Sequence, residues 1–247
     1  MSDEKDIKNI VQKSYAKIAA TAGGCGCNCK NKKISAQIGY SAADLNAMPE
    51  ANLGLGCGNP LGLAKINSGD TVLDLGSGAG FDAFLAAKKT GPAGRVIGVD
   101  MTPEMVEKAR ANAQKINCAN AQFRLGDIEN LPLADGEADI IISNCVINLA
   151  PDKDKVFAEA YRVLKPGGRM VVSDIVLLAE LAPEARRDEA LIAGCVGGAL
   201  LKDDYLKKLK NAGFTVNVLK ENTGISKEQY QCLPLESLTF EAVKTVV

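Results

Sequence analysis

The chain has 247 residues, enough for one large domain with a substantial buried core. Its 29 basic and 30 acidic residues nearly cancel and form no basic stripe, which argues against nucleic acid as a partner. No apolar run reaches the ~20 residues that span a bilayer, and the charged N-terminus lacks the apolar segment of a secretory signal, so we expect a cytoplasmic protein.

Cysteine and histidine usage are both unusual. The chain has eight cysteines and no histidine. In a reducing compartment eight cysteines do not indicate a structural disulfide framework, so some of them are candidates for binding a soft element or for redox chemistry. The absence of histidine removes the commonest general base. We therefore expect chemistry that does not depend on proton abstraction near neutral pH.

The N-terminal part of the chain predicts a lid. Apolar residues recur at helical spacing over 6–20, which predicts an amphipathic helix. The segment GGCGCNCKNKK at 23–33 is too rich in glycine, cysteine and charge for a packed element, and we expect a mobile loop. Short apolar pieces then mix with Gly, Pro and Asn over 41–68. We interpret residues 1–67 as an N-terminal lid or flap that carries a cysteine loop.

From residue 68 onward, short apolar strands alternate with helices. The predicted strands are 71–76, 95–100, 121–127, 138–144 and 169–176, and the predicted helices are 81–90, 102–116 and 153–164. Residues 179–212 are largely helical and include a cap inserted over the carboxyl edge of the sheet at about 179–205. Two closing strands follow at 214–222 and 237–247. This alternation predicts an α/β fold with a parallel sheet over 68–247.

The strongest local signal is VLDLGSGAGFD at 72–82, where a strand turns into a helix. Glycines let a ligand approach the backbone closely, and the helix N-terminus offers unpaired N–H groups. The form D-L-G-S-G-A-G differs from the dinucleotide fingerprint, whose third glycine comes one residue later, and it resembles the S-adenosylmethionine motif. The resemblance implies that Gly76, Ser77 and Gly78 pack near the amino-acid portion and ribose of that cofactor. The resemblance also implies that Asp74 acts indirectly on the ammonium group of the cofactor.

Two later strand ends carry further candidates for the same cofactor. Asp100 ends the second strand, where a carboxylate can accept hydrogen bonds from both ribose hydroxyls, and the flexible thioether of Met101 can pack on the adenine. The segment GDIENLPL after the third strand resembles the family segment in which an acidic side chain reads the adenine amino group. Its candidates are Asp127, Ile128 and Glu129.

The end of the fourth strand carries the last candidate for binding the cofactor. Asn144, in SNCVINL, would approach the methionine end of the cofactor. All four features lie at carboxyl ends of strands, where open α/β sheets bind ligands. Seven strands with a final hairpin resemble the class I methyltransferase fold, a seven-stranded, mostly parallel sheet with a closing antiparallel strand. A NAD-type dehydrogenase is the alternative interpretation of the glycine loop.

The cysteines bear on which nucleophile accepts the methyl group. Oxygen and nitrogen acceptors often need a base, whereas trivalent arsenic held by thiolates keeps a lone pair and carries no proton to remove. Arsenic(III) is soft and suits thiolate ligands. A histidine-free, cysteine-rich methyltransferase is consistent with such a substrate.

Three cysteines sit in distinct motifs: Cys57 in LGLGCGNP, Cys145 in ISNCVINL and Cys195 in AGCVGGAL. These closely resemble the three cysteine segments of the arsenite methyltransferase family, and the resemblance covers nearly the whole chain. It implies that Cys145 and Cys195 are the principal arsenic(III) ligands and that Cys57 is the third. The chain departs from family members that carry a second cysteine two residues after the equivalent of Cys145, because it has Ile147 there.

The N-terminal CGCNC adds Cys25, Cys27 and Cys29. The resemblance implies a fourth functional cysteine in this region, disulfide-bonded to the equivalent of Cys57. Spacing favours Cys29, with the other two left open. Oxidation of such a pair would return arsenic to the trivalent state after methylation, and glutathione or thioredoxin would reset the pair by exchange. Taken alone, CGCNC is also compatible with a small zinc or copper clip, although no CxxC pair or histidine completes one.

The remaining cysteines, Cys118 and Cys232, are expected to be packing or bystander residues. The resemblance thus implies an S-adenosylmethionine-dependent arsenite methyltransferase, which we expect to be a monomer because no interface signature is visible. Two alternatives stay open. One is a methyltransferase for a small organic acceptor such as a quinone precursor, and the other is a non-catalytic thiol-based metalloid binder.

Overall fold

The computed structural model describes residues 4–21 and 28–246, and only the backbone of residues 21 and 28–30. The strands are β1 Thr71–Leu75, β2 Arg95–Asp100, β3 Ala121–Leu125, β4 Ala138–Asn144, β5 Leu164–Leu177, β6 Phe214–Asn222 and β7 Leu235–Lys244. The helices are α1 Glu4–Thr21, α2 Asn28–Gln37, α3 Ala42–Ala47, α4 Pro60–Leu63, α5 Phe81–Thr90, α6 Pro103–Lys115, α7 Lys153–Val163, α8 Pro183–Arg187, α9 Glu189–Ala193, α10 Lys202–Asn211 and α11 Ile225–Gln229. A 3-10 turn spans Ile147–Leu149.

The seven strands form one sheet in the order β3-β2-β1-β4-β5-β7-β6. Strands β1 to β5 pair in parallel, whereas β7 is antiparallel to both β5 and β6. This confirms the expected mostly parallel sheet with an antiparallel closing strand. Because β1 lies between β2 and β4, the chain order reverses at β1, and ligands of open α/β sheets bind beyond such a point.

Alternating side chains of the strands build a core on each face of the sheet. Leu73 and Leu75 of β1 pack with residues of α7 and α10, while Val72 packs on the opposite face with residues of α4, α5 and α6. Burial on both faces explains why the strands read as continuous apolar runs. A third apolar cluster lies over the carboxyl edge and joins α1, the 3-10 turn and α9 to three cysteines.

One predicted loop is wrong in part. Within GGCGCNCKNKK, residues 28–33 belong to α2, while residues 22–27 lie outside the described part of the chain. Contacts with the following segment hold this polar helix: Asn31 Nδ2 donates to the Asn52 carbonyl at 3.3 Å, and Ser35 Oγ donates to Asn52 Oδ1 at 2.8 Å. Tertiary hydrogen bonds therefore outweigh the loop-like composition.

The bounds of four strands also differ from the expectation. Strand β1 ends at Leu75 and not at residue 76, and β7 spans Leu235–Lys244 in place of 237–247. Strand β3 ends at Leu125 because the chain turns back at once, and Asp127 forms an isolated bridge with Asn130. Strand β5 begins at Leu164, five residues before the expected start at residue 169. The register jumps there from Leu164 opposite Ala138 to Arg169 opposite Ile140, so the four residues between them bulge out of the ladder.

Helix α1 crosses the carboxyl edge of the sheet and packs against α6 and α9. Helix α4 packs against β4 and β5. These contacts place the N-terminal residues over the same edge that carries the glycine loop. None of the described helices is long and apolar enough to cross a membrane.

Candidate functional site

A cavity of about 260 Å³ lies at the carboxyl edge of β1, β2 and β4, beneath α1 and the end of α9. Most of the residues singled out in the sequence line it: Asp74, Gly76, Ser77, Gly78, Asp100, Met101, Asp127, Ile128, Asn144, Cys145 and Cys195. Glu129 and Cys57 do not line it. The structure thus brings the cofactor candidates and two of the three cysteines to one cavity.

The loop after β1 needs glycine at two positions that face this cavity. Gly76 has φ +64°, and a Cβ there would collide with the Val146 side chain. Gly78 has φ +51° and has only open space where its Cβ would point. Since L-residues rarely adopt such φ values, the sequence D-L-G-S-G-A-G shapes a bare backbone surface that a ligand can approach closely.

Two buried carboxyl groups, those of Asp74 and Asp100, and the half-buried carboxyl of Asp82 surround this loop. Asp100 Oδ2 accepts from the Gly78 N–H at 2.9 Å, and its Oδ1 accepts from the Thr102 N–H at 2.9 Å. Asp82 accepts from the Tyr40 hydroxyl at 2.7 Å. Asp74 Oδ2 is buried and has no hydrogen-bond partner among the described residues.

The raised pKa values of Asp74 and Asp82 indicate that the site lacks a positive charge. Burial, and then the neighbouring carboxyls of Asp82 and Asp100, raise the pKa of Asp74 well above its ordinary value. Burial raises the pKa of Asp82 to about 6, against the lowering effect of the Tyr40 hydrogen bond. A buried acidic group without a partner is costly. A cationic ligand at Asp74 would relieve that cost.

The other end of the cavity is closed by α1. Lys8 Nζ lies 2.6 Å from both Asp127 Oδ2 and Glu129 Oε2, and Gln12 Nε2 donates to the Met101 carbonyl at 2.9 Å. Glu129 also accepts from the Asp152 N–H at 2.9 Å. Because Asp127 and Ile128 line the cavity and Glu129 does not, the geometry favours Asp127 and Ile128 over Glu129 as ligand contacts.

Asn144 ties the N-terminal segment to β4. Its Oδ1 accepts from the Cys57 N–H at 3.1 Å, and its Nδ2 donates to the Gly58 carbonyl at 2.8 Å and to the Tyr40 hydroxyl at 3.0 Å. Its amide therefore fixes the chain around Cys57 as well as lining the cavity. Asn59, by contrast, caps α4 and lies outside this cavity.

The three motif cysteines converge over the carboxyl edge. The Sγ atoms of Cys57 and Cys145 and a carboxylate oxygen of Asp174 lie within 4.8 Å of one another. The Cys195 thiol donates to the Cys145 carbonyl at 2.6 Å. Cys145 and Cys195 have φ values of +61° and +66°, which are uncommon for a residue with a side chain. All three side chains are buried.

The pKa values of all three thiols are raised above the ordinary value. Burial raises the pKa of the Cys57 thiol. The contact with Cys145, followed by burial, raises that of Cys195 well above its ordinary value. For Cys145 the contact with Cys195 lowers the pKa, but the contact with Cys57 and burial outweigh it and the net direction is upward.

Two tyrosines flank the thiols. The Tyr15 hydroxyl of α1 donates to the Ala193 carbonyl at 3.4 Å and contacts the Cys195 thiol. Tyr230, which follows α11, contacts the Cys145 side chain. Both line the cavity. The sequence analysis did not identify Tyr230, Tyr40 or Asp82 as residues of the site.

The other cysteines take no part in the described site. Cys118 is half-buried and donates to Asn120 Oδ1 at 3.5 Å, and Cys232 is exposed. Cys25 and Cys27 lie outside the described residues, and for Cys29 only the backbone is described, in α2. The expected pairing of one of these with Cys57 therefore stays a prediction.

Asp174 lies beneath the thiols in a buried hydrogen-bond network. Its Oδ1 accepts from Asn148 Nδ2 at 2.9 Å and from the Ile175 N–H at 3.0 Å, and its Oδ2 accepts from the Tyr205 hydroxyl at 3.0 Å. Burial raises the pKa of Asp174 to about 7, although these hydrogen bonds and the charge of Lys153 lower it. The neutral acid is therefore favoured in the folded state.

This raised pKa predicts a loss of stability with rising pH. Because the folded pKa lies above the unfolded value, the favourable contribution of Asp174 is present below about pH 4 and is lost as the pH rises through about 7. We expect the Tm to fall by about 3 °C or more between pH 5 and pH 8. Asp174→Asn should flatten this fall in differential scanning calorimetry, and an unchanged slope in the variant would contradict it.

Comparison with known proteins agrees with this geometry. Residues 66–213 match the family described as a methyltransferase domain. The chain is 46% identical over 227 residues to the arsenite methyltransferase of Halobacterium salinarum, covering 86% of this chain and 58% of that protein. It is 47% identical over 178 residues to the arsenite methyltransferase of Aquipseudomonas alcaligenes, covering 69% and 51%. The crystal structure of an arsenic(III) S-adenosylmethionine methyltransferase from Chlamydomonas reinhardtii superimposes with a TM-score of 0.69 at 34% identity, covering 86% of this chain and 73% of that one.

The chain belongs to the arsenite methyltransferase family. It spans about half to three-fifths of the length of the two curated relatives. The methyltransferase domain at 66–213 contains the glycine loop, Cys145 and Cys195, whereas Cys57 precedes it.

The cavity of this arsenite methyltransferase family member fits S-adenosylmethionine. The unpartnered Asp74 Oδ2 suits an ammonium group, and the bare backbone at Gly78 leaves room for the cofactor to lie against it. Asp100, beside Gly78, can accept from ribose hydroxyls. Met101 and Ile128 supply apolar surface next to Asp127 for a base.

Proposed function

We propose that the protein transfers the methyl group of S-adenosylmethionine to trivalent arsenic held by Cys57, Cys145 and Cys195. The observation that carries the proposal is the convergence of three buried thiols at the edge of a cavity built to hold that cofactor. Soft thiolates are suitable ligands for arsenic(III). The names of the relatives support the same substrate.

The chain's own residues act by binding and orientation. The cofactor, when bound, supplies an electrophilic methyl group on a sulfonium. Asp74 attracts its ammonium group, Asp100 holds the ribose, and Asp127 with Ile128 contacts the adenine. Tyr15 and Tyr230 close over the thiols and limit the access of water. Arsenic held by three sulfurs keeps a lone pair for attack, so no general base is needed. Positioning of this kind accounts for a large part of catalysis.

The redox step of the proposal uses cysteine thiols as the electron source. Methylation raises arsenic formally to the pentavalent state. Oxidation of two thiols to a disulfide releases two electrons, which return arsenic to the trivalent state. We propose that Cys57 and one of Cys25, Cys27 and Cys29 form this disulfide and that glutathione or thioredoxin reduces it by exchange. Such reductants imply a reducing cytoplasm, and we propose that the protein works there as a monomer.

We also propose that residues 1–67 act as a lid over this site and that the cap lies within the 68–247 core. The support is the position of α1 over the cavity, held by Lys8, Gln12 and Tyr15.

The proposal is tested by incubating the purified protein with arsenite, S-adenosylmethionine and a dithiol. Liquid chromatography coupled to inductively coupled plasma mass spectrometry should detect methylated arsenicals that are absent when either substrate is omitted. If the cofactor binds and arsenite binds but no methylated product forms, the chain is a metalloid binder and the proposal is wrong.

The ion pairs of Lys8 with Asp127 and Glu129 lead us to expect salt-sensitive cofactor binding. Burial lowers the pKa of Lys8, but its hydrogen bonds to Asp127 and Glu129 outweigh that effect and raise it, in keeping with a genuine ion pair. Such partly exposed pairs contribute about 1 kcal/mol, so Lys8→Met should weaken S-adenosylmethionine binding about fivefold and reduce its salt dependence. Isothermal titration calorimetry measures both. Lys13→Met, at an exposed position on the same helix, is the control and should change neither.

A further inference from the structure

Two tyrosines from distant parts of the chain flank the thiols of the cofactor cavity. Tyr15 belongs to α1 and contacts the Cys195 thiol, whereas Tyr230 follows α11 and contacts the Cys145 side chain. Both rings pack against the apolar cluster that contains the three motif cysteines, and both line the cavity. Each of the two thiols that line the cavity therefore has an aromatic ring beside it.

The turn that carries Tyr230 is held in an unfavourable backbone conformation. Gln231 and Cys232, which follow it directly, have φ values of +51° and +65°. Such values cost a residue with a side chain about 1 kcal/mol or more. The N–H groups of Tyr230 and Cys232 both donate to the Ser226 carbonyl at 3.0 Å. The Ser226 hydroxyl donates to the Leu233 carbonyl at 2.5 Å. Strain that the surrounding contacts maintain in this way clusters at functional sites.

Tyr15 is fixed by contacts of α1 with the rest of the site. Its hydroxyl donates to the Ala193 carbonyl at 3.4 Å, and Gln12, three residues earlier on the same helix, donates to the Met101 carbonyl at 2.9 Å. Because protein interiors are closely packed, rings fixed in this way set the space available beside them. Tyr15 and Tyr230 therefore limit the room around the two sulfurs that line the cavity.

Under the proposed function, this room matters most for an arsenic atom that already carries a methyl group. Trivalent arsenic with one As–C bond forms two bonds to sulfur in place of three, and Cys145 and Cys195 line the cavity and can supply both. The Cys57 sulfur, within 4.8 Å of the Cys145 sulfur, stays buried behind the cavity and does not line it. The methyl group would therefore point into the cavity, where the two tyrosine rings lie.

We propose that Tyr15 and Tyr230 determine how many methyl groups the arsenic receives, because their rings crowd an arsenic atom that already bears one. This inference rests on the proposed function. A pocket that must accommodate one extra methyl or methylene group discriminates by roughly 10-fold to 200-fold. The rings therefore lower kcat/KM for methylarsenite relative to arsenite, and the monomethylated product predominates.

The ratio of two specificity constants tests the proposal. It is kcat/KM for methylarsenite divided by kcat/KM for arsenite, each supplied with S-adenosylmethionine and the same dithiol and followed by mass spectrometry of the products. Tyr230→Leu removes the ring and should raise this ratio about tenfold, whereas Tyr230→Phe keeps the ring and should leave it within about twofold. Tyr15→Leu and Tyr15→Phe should differ in the same way, which provides a second pair of variants on a separate element.

Tyr161→Leu is the control for a general loss of packing. The Tyr161 ring lies 5.2 Å from that of Phe214 and does not line the cavity. This variant should lower the Tm but leave the ratio unchanged, because the ratio does not depend on how much of the protein is folded. An unchanged ratio in both leucine variants at the cavity, or an equal rise in the phenylalanine variants or in Tyr161→Leu, would overturn the proposal. If the unaltered protein formed no methylated arsenic at all, the proposed function would be wrong instead.

Discussion

Cys145→Ser is expected to reduce arsenite methylation by at least about 100-fold while leaving S-adenosylmethionine binding within twofold, which roughly corresponds to a loss of 3 kcal/mol in transition-state stabilisation. Serine is nearly isosteric, so the fold and the adjoining Cys195 should be preserved. Its harder oxygen is a poor ligand for arsenic(III). Product formation measured by mass spectrometry, with cofactor affinity measured by calorimetry, separates the two effects.

Cys232→Ser is the matched control, because Cys232 is exposed and does not line the cavity. It should retain full activity. Cys195→Ser should match Cys145→Ser, and the double variant should be no worse than either single one, since ligands of one arsenic atom act as a unit. Near-normal turnover of an organic acceptor in Cys145→Ser, with no arsenic product from the unaltered protein, would instead favour the small-molecule methyltransferase alternative.

The central strands of the sheet could be predicted from the sequence because they are buried on both faces. Runs such as TVLDL and ADIIIS carry that burial directly in their composition. The glycine loop was predictable for a related reason: Gly76 and Gly78 mark places where a side chain would collide or block a ligand. Both signals are local, so no knowledge of distant contacts is needed.

The features that the sequence did not reveal depend on contacts between distant segments. Tyr40 and Asp82 are 42 residues apart, and Lys8 lies 119 residues from Asp127. In the sequence, Asp82 looks like an ordinary acidic residue in the first turn of a helix. The helical state of residues 28–33 likewise depends on hydrogen bonds to the following segment.

The cysteine cluster likewise has some features that the sequence indicates and others that only the folded chain shows. Motif resemblance identified Cys57, Cys145 and Cys195 as a set, but only the folded chain shows that Cys57 adjoins a cavity of its own. It also shows that Asp174 lies within 4.8 Å of two of the sulfurs. Neither fact has a local sequence signal, because β5, β7 and the turn before α4 are far apart in the sequence and come together only in the folded chain.

Asp74→Asn is expected to weaken S-adenosylmethionine binding about tenfold or more while making the unliganded protein more stable at pH 8. The binding loss follows because a neutral amide replaces the buried carboxylate proposed to attract the ammonium group, and hydrogen bonds to charged groups contribute about 1.5–3 kcal/mol. The stability gain follows because the pKa of Asp74 is raised, chiefly by burial, so ionisation above that pKa costs the folded state stability. The gain should disappear near pH 4, where the carboxyl is protonated in both states.

Opposite changes in affinity and stability distinguish a ligand-binding role from a structural one. Asp174→Asn provides the comparison, since Asp174 is also buried with a raised pKa but lies beneath the thiols and not at the glycine loop. It should raise stability at pH 8 without weakening cofactor binding. Calorimetric titration measures the cofactor affinity of both variants. Thermal unfolding at pH 4 and pH 8 measures their stability. If Asp74→Asn destabilises the fold and leaves cofactor affinity unchanged, its carboxylate holds the loop together and does not bind the ammonium group.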